Sequence, residues 1–264
     1  MKNFLVIGDP IDHSLSPKLH NYWIKSNNIN AIYEKKKIEV GGLENLIFNV
    51  KEKKIHGINI TVPFKQKIIP YLDELSFEAE NTQSVNTVYL DNKKIIGHNT
   101  DIEGFEFGIK ETNFDVSNKK VLVLGAGGVV PSIIFALNKM KVNKVMVSNR
   151  TKEKAENLKR MFKNIDIVEW GNIPNFDIIV NATSLGLNKN DVINIDFSKI
   201  GQKKLFYDVI YNPKETNFLK AGKQLGNITE NGKMMFIHQA SAAFRIWHGI
   251  KPKITSEVIQ LLDK

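Results

Sequence analysis

The chain has 264 residues, 42% of them hydrophobic, enough to bury a full core and to build two modest domains or one large one. It contains no cysteine, which excludes a disulfide framework, a thiolate zinc site and a cysteine nucleophile. The formal net charge of +9 suits phosphate-bearing cofactors and carboxylate substrates; the lysines scatter along the chain instead of forming a basic tail, so nucleic-acid binding is not expected.

In chain order, Phe4 to Gly8 reads as a buried strand, and its apolar run is too short for the apolar region of a signal peptide. Pro17 to Asn27 reads as a helix capped by Ser16, Tyr33 to Val40 as a second strand and Leu43 to Lys51 as a second helix. Gly57 to Val62 is a third strand, ended by Pro63. A helix over Lys65 to Tyr71 and a short one at Phe77 to Asn81 are expected next, then a hairpin from Ala79 to His98 turning at Asp91-Asn92-Lys93. Strands separated by helices imply a mainly parallel sheet covered on both faces.

From about Ile102 a helix leads into a second unit. Val121 to Leu124 is a fully apolar strand, followed at once by Gly125-Ala126-Gly127-Gly128 and a helix to about Lys139. The uncharged stretch from Val121 to Leu137 approaches membrane-spanning length, but three glycines and Pro131 interrupt it, so no membrane span is expected. Strands at Lys144 to Ser148, Ile165 to Glu169, Phe176 to Asn181 and Leu205 to Asp208, with a helix over Thr151 to Phe162, continue a doubly wound pattern. A helix over Asn217 to Leu225, a strand-like Asn227-Ile228-Thr229, a long helix from about Gly232 to Trp247 and a last helix from Thr255 to Leu262 complete the chain.

The glycine cluster lets the backbone turn tightly and brings helix-start amides to a pyrophosphate; strand before and helix after favour a dinucleotide site over a merely structural turn. The end of the next strand gives the cofactor type. An acidic residue there would bind the ribose hydroxyl of NAD, but the sequence has Ser148-Asn149-Arg150-Thr151. Arg150 can pair with a 2′-phosphate, helped by Thr151 and by Lys152 or Lys154, which points to NADP(H); on its own it is equally a solvated loop arginine.

Upstream, Lys65 closes Asn59-Ile60-Thr61-Val62-Pro63-Phe64-Lys65 and Asp101 closes Asn99-Thr100-Asp101. A lysine and a carboxylate brought together beside a nicotinamide can move a proton while the cofactor moves a hydride. Singly, each has an ordinary explanation as a solvated charge or a cap, as does Asn86. Ser14 and Ser16, just ahead of a helix start, are cap residues by local pattern, although two such hydroxyls also suit a carboxylate ligand.

Taken together and in order, these segments resemble the shikimate dehydrogenase family along almost the whole chain. The opening Gly8 to Pro17, the Asn59 to Lys65 strand, Ser84-Val85-Asn86-Thr87 and Gly97-His98-Asn99-Thr100-Asp101 carry the resemblance in the first part. Gly125 to Gly128, Asn149-Arg150-Thr151, Asn181 to Gly186, Tyr207 to Pro213 and the Gln239 to Gly249 segment carry it in the second.

The resemblance implies NADPH-dependent reduction of 3-dehydroshikimate to shikimate, with Lys65 and Asp101 as the catalytic pair. It places Ser14 and Ser16 at the substrate carboxylate, Thr61, Asn86, Asp101 and Gln239 at ring hydroxyls, and Tyr211 closing on the substrate. It places Gly125, Ala126, Gly127 and Gly128 at the pyrophosphate, Asn149, Arg150 and Thr151 at the adenosine phosphate, and Thr183, Ser184, Val209, Gly232 and Met235 beside the nicotinamide. The family alternatives are a quinate/shikimate dehydrogenase of broader use and a catalytically silent ligand-binding protein on the same fold.

The implied fold is α/β with two domains: an N-terminal substrate domain with a mainly parallel sheet, from residues 1–101 and 238–264, and a Rossmann-type NADP-binding domain over 102–237, with substrate in a cleft between them. No metal is expected, and a cytoplasmic monomer or homodimer is. Two departures stand out. Asn231-Gly232-Lys233-Met234-Met235 replaces a segment that usually opens Asp-Gly with a second glycine at position 234, and Ile102 replaces a common glycine.

Overall fold

The computed structural model describes residues 1–188 and 190–263, and of Val40 the backbone only. The chain forms two compact units, one of Met1–Gly104 with Ile237–Lys264 and one of Phe105–Phe236.

The first unit runs β1 (Lys2–Gly8), α1 (Ser16–Ser26), β2 (Ala31–Lys37), α2 (Leu43–Lys51), β3 (Gly57–Ile60), β4 (Glu74–Leu75), α3 (Phe77–Thr82), β5 (Thr87–Asp91) and β6 (Lys94–His98). Its sheet has the order β2-β1-β3-β5-β6-β4. The β1·β2, β1·β3 and β4·β6 pairs are parallel, whereas β3·β5 and β5·β6 are antiparallel. Strand alternation sends Leu5, Ile7, Ile58 and Ile60 into an aliphatic core with Leu43, Leu46, Val50, Phe64 and Ile68. The opposite face carries Phe4, Tyr33, Gly57 and Asn59. There the returning C-terminal chain packs its aromatic rings, with Trp247 5.1 Å from Phe4 between ring centroids and donating its indole N–H to Val88 O at 3.2 Å. A Cβ at Gly57 would lie 2.4 Å from the Trp247 ring, so this strand position is glycine by necessity.

Two local expectations are corrected here. Lys65 to Tyr71 is a series of turns ending in a 3₁₀ turn at Ile69–Tyr71, because Pro70 cannot donate to a helical ladder. The hairpin begins at Thr87, not Ala79: α3 is capped by Ser76 and closed by Gln83 in the left-handed region (φ 47°), leaving Ser84 to Asn86 as a loop. The hairpin turn is at the expected place, with Asn92 and Lys93 both at positive φ as a tight two-residue turn requires. Two-residue β4 carries no sequence signal of its own and exists by pairing with β6.

α4 (Asp101–Lys110) carries the chain into the second unit. There follow β7 (Lys120–Leu124), α5 (Val130–Lys139), β8 (Lys144–Ser148), α6 (Lys152–Met161), β9 (Ile165–Val168), β10 (Ile178–Asn181), β11 (Leu205–Asp208), α7 (Asn217–Gln224) and β12 (Ile228–Glu230). α8 (Lys233–His248) returns the chain to the first unit, which ends in α9 (Ser256–Leu261). The second sheet has the order β12-β11-β10-β7-β8-β9 with every pair parallel. This is the doubly wound order in which the first strand, β7, adjoins the fourth, β10, and ligands bind at the carboxyl ends around that switch point. Its strands read as continuous apolar runs because both faces are covered; Leu122, Leu124, Ile179 and Phe206 pack with Phe218 and Leu219 of α7. Among the described residues no helix is long and apolar enough to cross a membrane.

Candidate functional site

In the first unit the buried face of the sheet ends in a polar cluster. Phe64 anchors the turn after β3 in the aliphatic core, and Lys65 follows it with its carbonyl accepting from Val85 N at 2.9 Å. That bond ties the lysine to the loop that presents Asn86. Lys65 Nζ donates to Asp101 Oδ2, and the two side chains are only 11% and 9% exposed. Asn86 Nδ2 donates to Asp101 Oδ1 at 2.9 Å and to Thr100 Oγ1 at 2.9 Å, while Asn86 Oδ1 accepts from Thr100 N at 2.8 Å. Asp101 N donates to Asn99 Oδ1 at 3.1 Å. Two charges thus face each other nearly out of water, with each Asp101 oxygen holding a donor, the arrangement that makes a buried pair tolerable.

Three members of the predicted set, Lys65, Asp101 and Asn86, are therefore in direct contact. Thr61 lies at the end of β3, half-buried, its N–H donating to Ile7 O at 3.0 Å. Gln239 is half-buried on the α8 segment of the same unit. Ser16 does not cap α1: it is the first helical residue, buried, after Leu15 at the cap position. Ser16 N donates to Ser14 Oγ at 3.3 Å, and the Ser16 hydroxyl faces the Tyr33 phenol, so the local capping expectation is overturned for Ser16.

Buried polar residues not predicted as site members join the cluster. Asn59 Nδ2 donates to Asn86 O at 3.0 Å and Thr87 Oγ1 at 3.1 Å, and Asn59 Oδ1 accepts from the Tyr33 hydroxyl at 2.6 Å. The signal available in sequence was an asparagine alternating with Thr61 on an otherwise apolar strand.

In the second unit the carboxyl ends of β7, β8, β10 and β11 present the predicted cofactor residues. Gly125 has φ 112°, and a Cβ there would sit 2.8 Å from Ala182 O; Gly127 faces open space, with nothing within 4 Å of an added Cβ. α5 starts after Val129 with no side-chain cap, which leaves helix-start dipoles directed at that space. α6 likewise starts after Thr151 with no side-chain cap, and Asn149 Nδ2 donates to Thr151 O at 2.8 Å, shaping the β8 end. Arg150 is exposed and has no ion-pair partner among the described residues. An open glycine cradle and an uncapped helix start beside an unpaired guanidinium fit a phosphorylated dinucleotide.

Thr183 and Val209 belong to one buried network. Asn181 Oδ1 accepts from Thr183 N and Oγ1 at 3.1 and 2.7 Å, and Asn181 Nδ2 donates to Leu185 O and to Asp208 Oδ1, both at 3.1 Å. Asp208 also accepts from Ile210 N at 3.0 Å and Thr216 Oγ1 at 2.6 Å. Burial raises Asp208 to about 6, and the bonds from Thr216, Ile210 and Asn181 act against that rise. Asn181 and Asp208 were not predicted as site members; a polar residue ending each of two apolar strands was the available signal. Ser184 is exposed beside Thr183, Tyr211 stacks on Phe236 at 4.6 Å between centroids, and Met235 is buried. Gly232 lies so close to Val209 that a Cβ would be 2.1 Å from its carbonyl oxygen.

Residues 6–88 match the family model described as shikimate dehydrogenase substrate binding domain, and residues 108–217 the one described as shikimate / quinate 5-dehydrogenase. A shikimate dehydrogenase (NADP(+)) of Pelagibacter ubique is 61% identical over 262 residues, covering 99% of each chain. Among solved structures, a shikimate dehydrogenase in complex with NADP+ matches with TM-score 0.92 at 34% identity, covering 100% of this chain and 95% of that one. The Thermus thermophilus enzyme in complex with NADP(H) and shikimate matches with TM-score 0.91 at 30% identity, covering 100% and 99%.

Proposed function

The chain belongs to the shikimate dehydrogenase family, and from that premise we propose that it catalyses the reversible NADPH-dependent reduction of 3-dehydroshikimate to shikimate, in the shikimate pathway of aromatic amino acid biosynthesis. The observation that carries this reading is the Lys65–Asp101 pair, desolvated and held by Asn86. NADPH, when bound, supplies a hydride to the ketone carbon. Lys65 then gives a proton to the ketone oxygen as negative charge develops there, so that carbonyl becomes alcohol. Asp101 holds the ammonium in place and accepts a hydrogen bond from the neighbouring ring hydroxyl. Asn86, Thr61 and Gln239 hold further hydroxyls, Ser14 and Ser16 bind the ring carboxylate, and Tyr211 closes on the substrate.

On the cofactor side, Gly125 to Gly128 receive the pyrophosphate at the start of α5. Asn149, Arg150 and Thr151 take the 2′-phosphate, and Thr183, Ser184, Val209, Gly232 and Met235 border the nicotinamide. Residues 1–101 with 238–264 serve as the substrate domain and 102–237 as the cofactor domain. The enzyme works in the cytoplasm as a monomer or homodimer.

The deciding experiment follows reduced-nicotinamide absorbance with shikimate or quinate and either NADP+ or NAD+. Shikimate with NADP+ should give the highest kcat/KM. Absence of turnover in every combination removes the enzyme reading, and a preference for quinate reassigns the substrate.

A further inference from the structure

We propose that Tyr33 is a positioning residue for this reaction, its hydroxyl heading a one-directional chain of buried hydrogen bonds that ends on the Asp101 carboxylate. The inference rests on the functional reading above for its kinetic consequence, but the chain itself stands on geometry.

The senses of the Asn59 and Asn86 amides follow from backbone groups that can act in only one sense, and an amide oxygen, which only accepts, fixes the Thr87 bond to Asn86. Asn59 turns its amide nitrogen to Asn86 O, a pure acceptor, at 3.0 Å, so its oxygen must face Tyr33 and the phenol must donate, at 2.6 Å. Asn59 Nδ2 also donates to Thr87 Oγ1 at 3.1 Å, and Thr87 Oγ1 donates to Asn86 Oδ1 at 3.0 Å, with Thr100 Oγ1 a further neighbour of the hydroxyl at 3.3 Å. Asn86 Oδ1 faces Thr100 N, a pure donor, at 2.8 Å, so the Asn86 nitrogen must face Asp101, at 2.9 Å. Tyr33, Asn59, Thr87 and Asn86 therefore all donate toward one carboxylate, and Lys65 donates to its other oxygen. Bonds aligned in this way polarise one another where water is excluded.

Tyr33 is built to hold this place. It lies on edge strand β2, and its backbone is pinned from the open side by Asn21, which donates to Tyr33 O at 2.7 Å and accepts from Tyr33 N at 2.9 Å. Its side chain reaches across β1 to Asn59, two strands away in the sheet, and its ring stacks flat on His20 at 4.2 Å. Burial holds the phenol protonated, with its pKa well above the usual value, while the neighbouring Ser16 hydroxyl acts in the opposite direction. Ser16, the residue assigned above to the substrate carboxylate, thus stands at the head of the chain and Asp101 at its foot.

Tyr33→Phe keeps the stacked ring and removes one donor; Thr87→Val breaks the same chain further on at constant shape. Each should lower kcat roughly five- to tenfold, the worth of one buried hydrogen bond, with KM for NADP+ unchanged. The double variant should be no slower than the slower single, because one break already interrupts the chain. Wild-type kcat in Tyr33→Phe, or losses that multiply in the double variant, would overturn the proposal. A second measurement is independent of turnover: in isotope-labelled protein the Asn86 side-chain amide resonance should move in Tyr33→Phe, and an unmoved resonance also overturns the proposal. If the wild type turns over no substrate while that resonance moves, the chain stands and the functional reading falls.

Discussion

Lys65 and Arg150 illustrate how much a side chain's work depends on what surrounds it. Both are long cations, yet Lys65 is nearly buried against a carboxylate and Arg150 is exposed without an ion-pair partner among the described residues. Lys65→Met preserves the aliphatic stem and removes the ammonium proposed as proton donor. It should lower kcat by on the order of 10²- to 10⁴-fold with little change in KM for shikimate, since proton transfer acts in the transition state. Steady-state kinetics decide this, and a near-normal kcat would reassign the proton donor. Arg150→Ala should raise KM for NADPH by roughly 10- to 100-fold, the range of a charged hydrogen bond, and leave KM for NADH almost untouched. Equal losses with the two cofactors would remove Arg150 from phosphate recognition.

The β7–turn–α5 element separates two reasons for a glycine. Gly125 is required by the fold: its φ of 112° suits glycine alone, and Ala182 O blocks a Cβ. Gly127 is not, because a Cβ there meets only open space. Gly125→Ala should therefore cost about 2 kcal/mol of stability or more. Gly127→Ala should leave the melting temperature nearly unchanged while weakening NADPH at least about tenfold, by filling the space a pyrophosphate would use. Thermal melts and NADPH fluorescence titrations of the two variants test the contrast; a tight-binding Gly127→Ala protein would take the phosphate away from this turn. The same close approach of backbone recurs between the end of β11 and the start of α8, where Gly232 touches Val209.

For the molecule as a whole, buried and half-buried titratable groups should make stability depend on pH. His20 is buried against Tyr33, Trp23, Phe244 and Trp247, with neither ring nitrogen hydrogen-bonded among the described residues, and burial lowers it to about 3. His248 is lowered to about 4, by burial and then by the Lys2 charge. Their folded pKa values lie below the unfolded value, so the stability they contribute is present above about pH 6.5 and lost as pH falls toward 4 and 3. Asp208 has the opposite sign. Raised to about 6, it contributes stability that is complete below its unfolded value and lost as pH rises through about 6. One pH unit between folded and unfolded titration is worth about 1.4 kcal/mol, so both effects are measurable. His20→Phe should lose less melting temperature than the wild type between pH 7 and pH 5. Asp208→Asn should gain on the wild type as pH rises from 4 to 7. Calorimetric curves that stay parallel for variant and wild type would show that these groups do not set the pH response.

Much of this protein was readable locally, because the signals are local. Val121 to Leu124 before Gly125-Ala126-Gly127-Gly128 is a strand and a turn wherever it is placed, and the Asn92-Lys93 turn depends on neighbouring backbone. The ordered motifs also identified the family. What depends on distant pairing was not readable. The antiparallel pairing of β5 against β3 within a partly parallel sheet, the two residues of β4, and the failure of Ser16 to cap α1 follow from how segments meet. So do the fixed senses of the Asn59 and Asn86 amides, each set by a backbone group brought to it by another strand or loop. Sequence by itself determined which side chains can donate, accept or carry charge. Only tertiary structure decided that Lys65 and Asp101, 36 residues apart, form one nearly buried ion pair, because a hydrogen-bond partner is set by strand register and burial and not by distance along the chain.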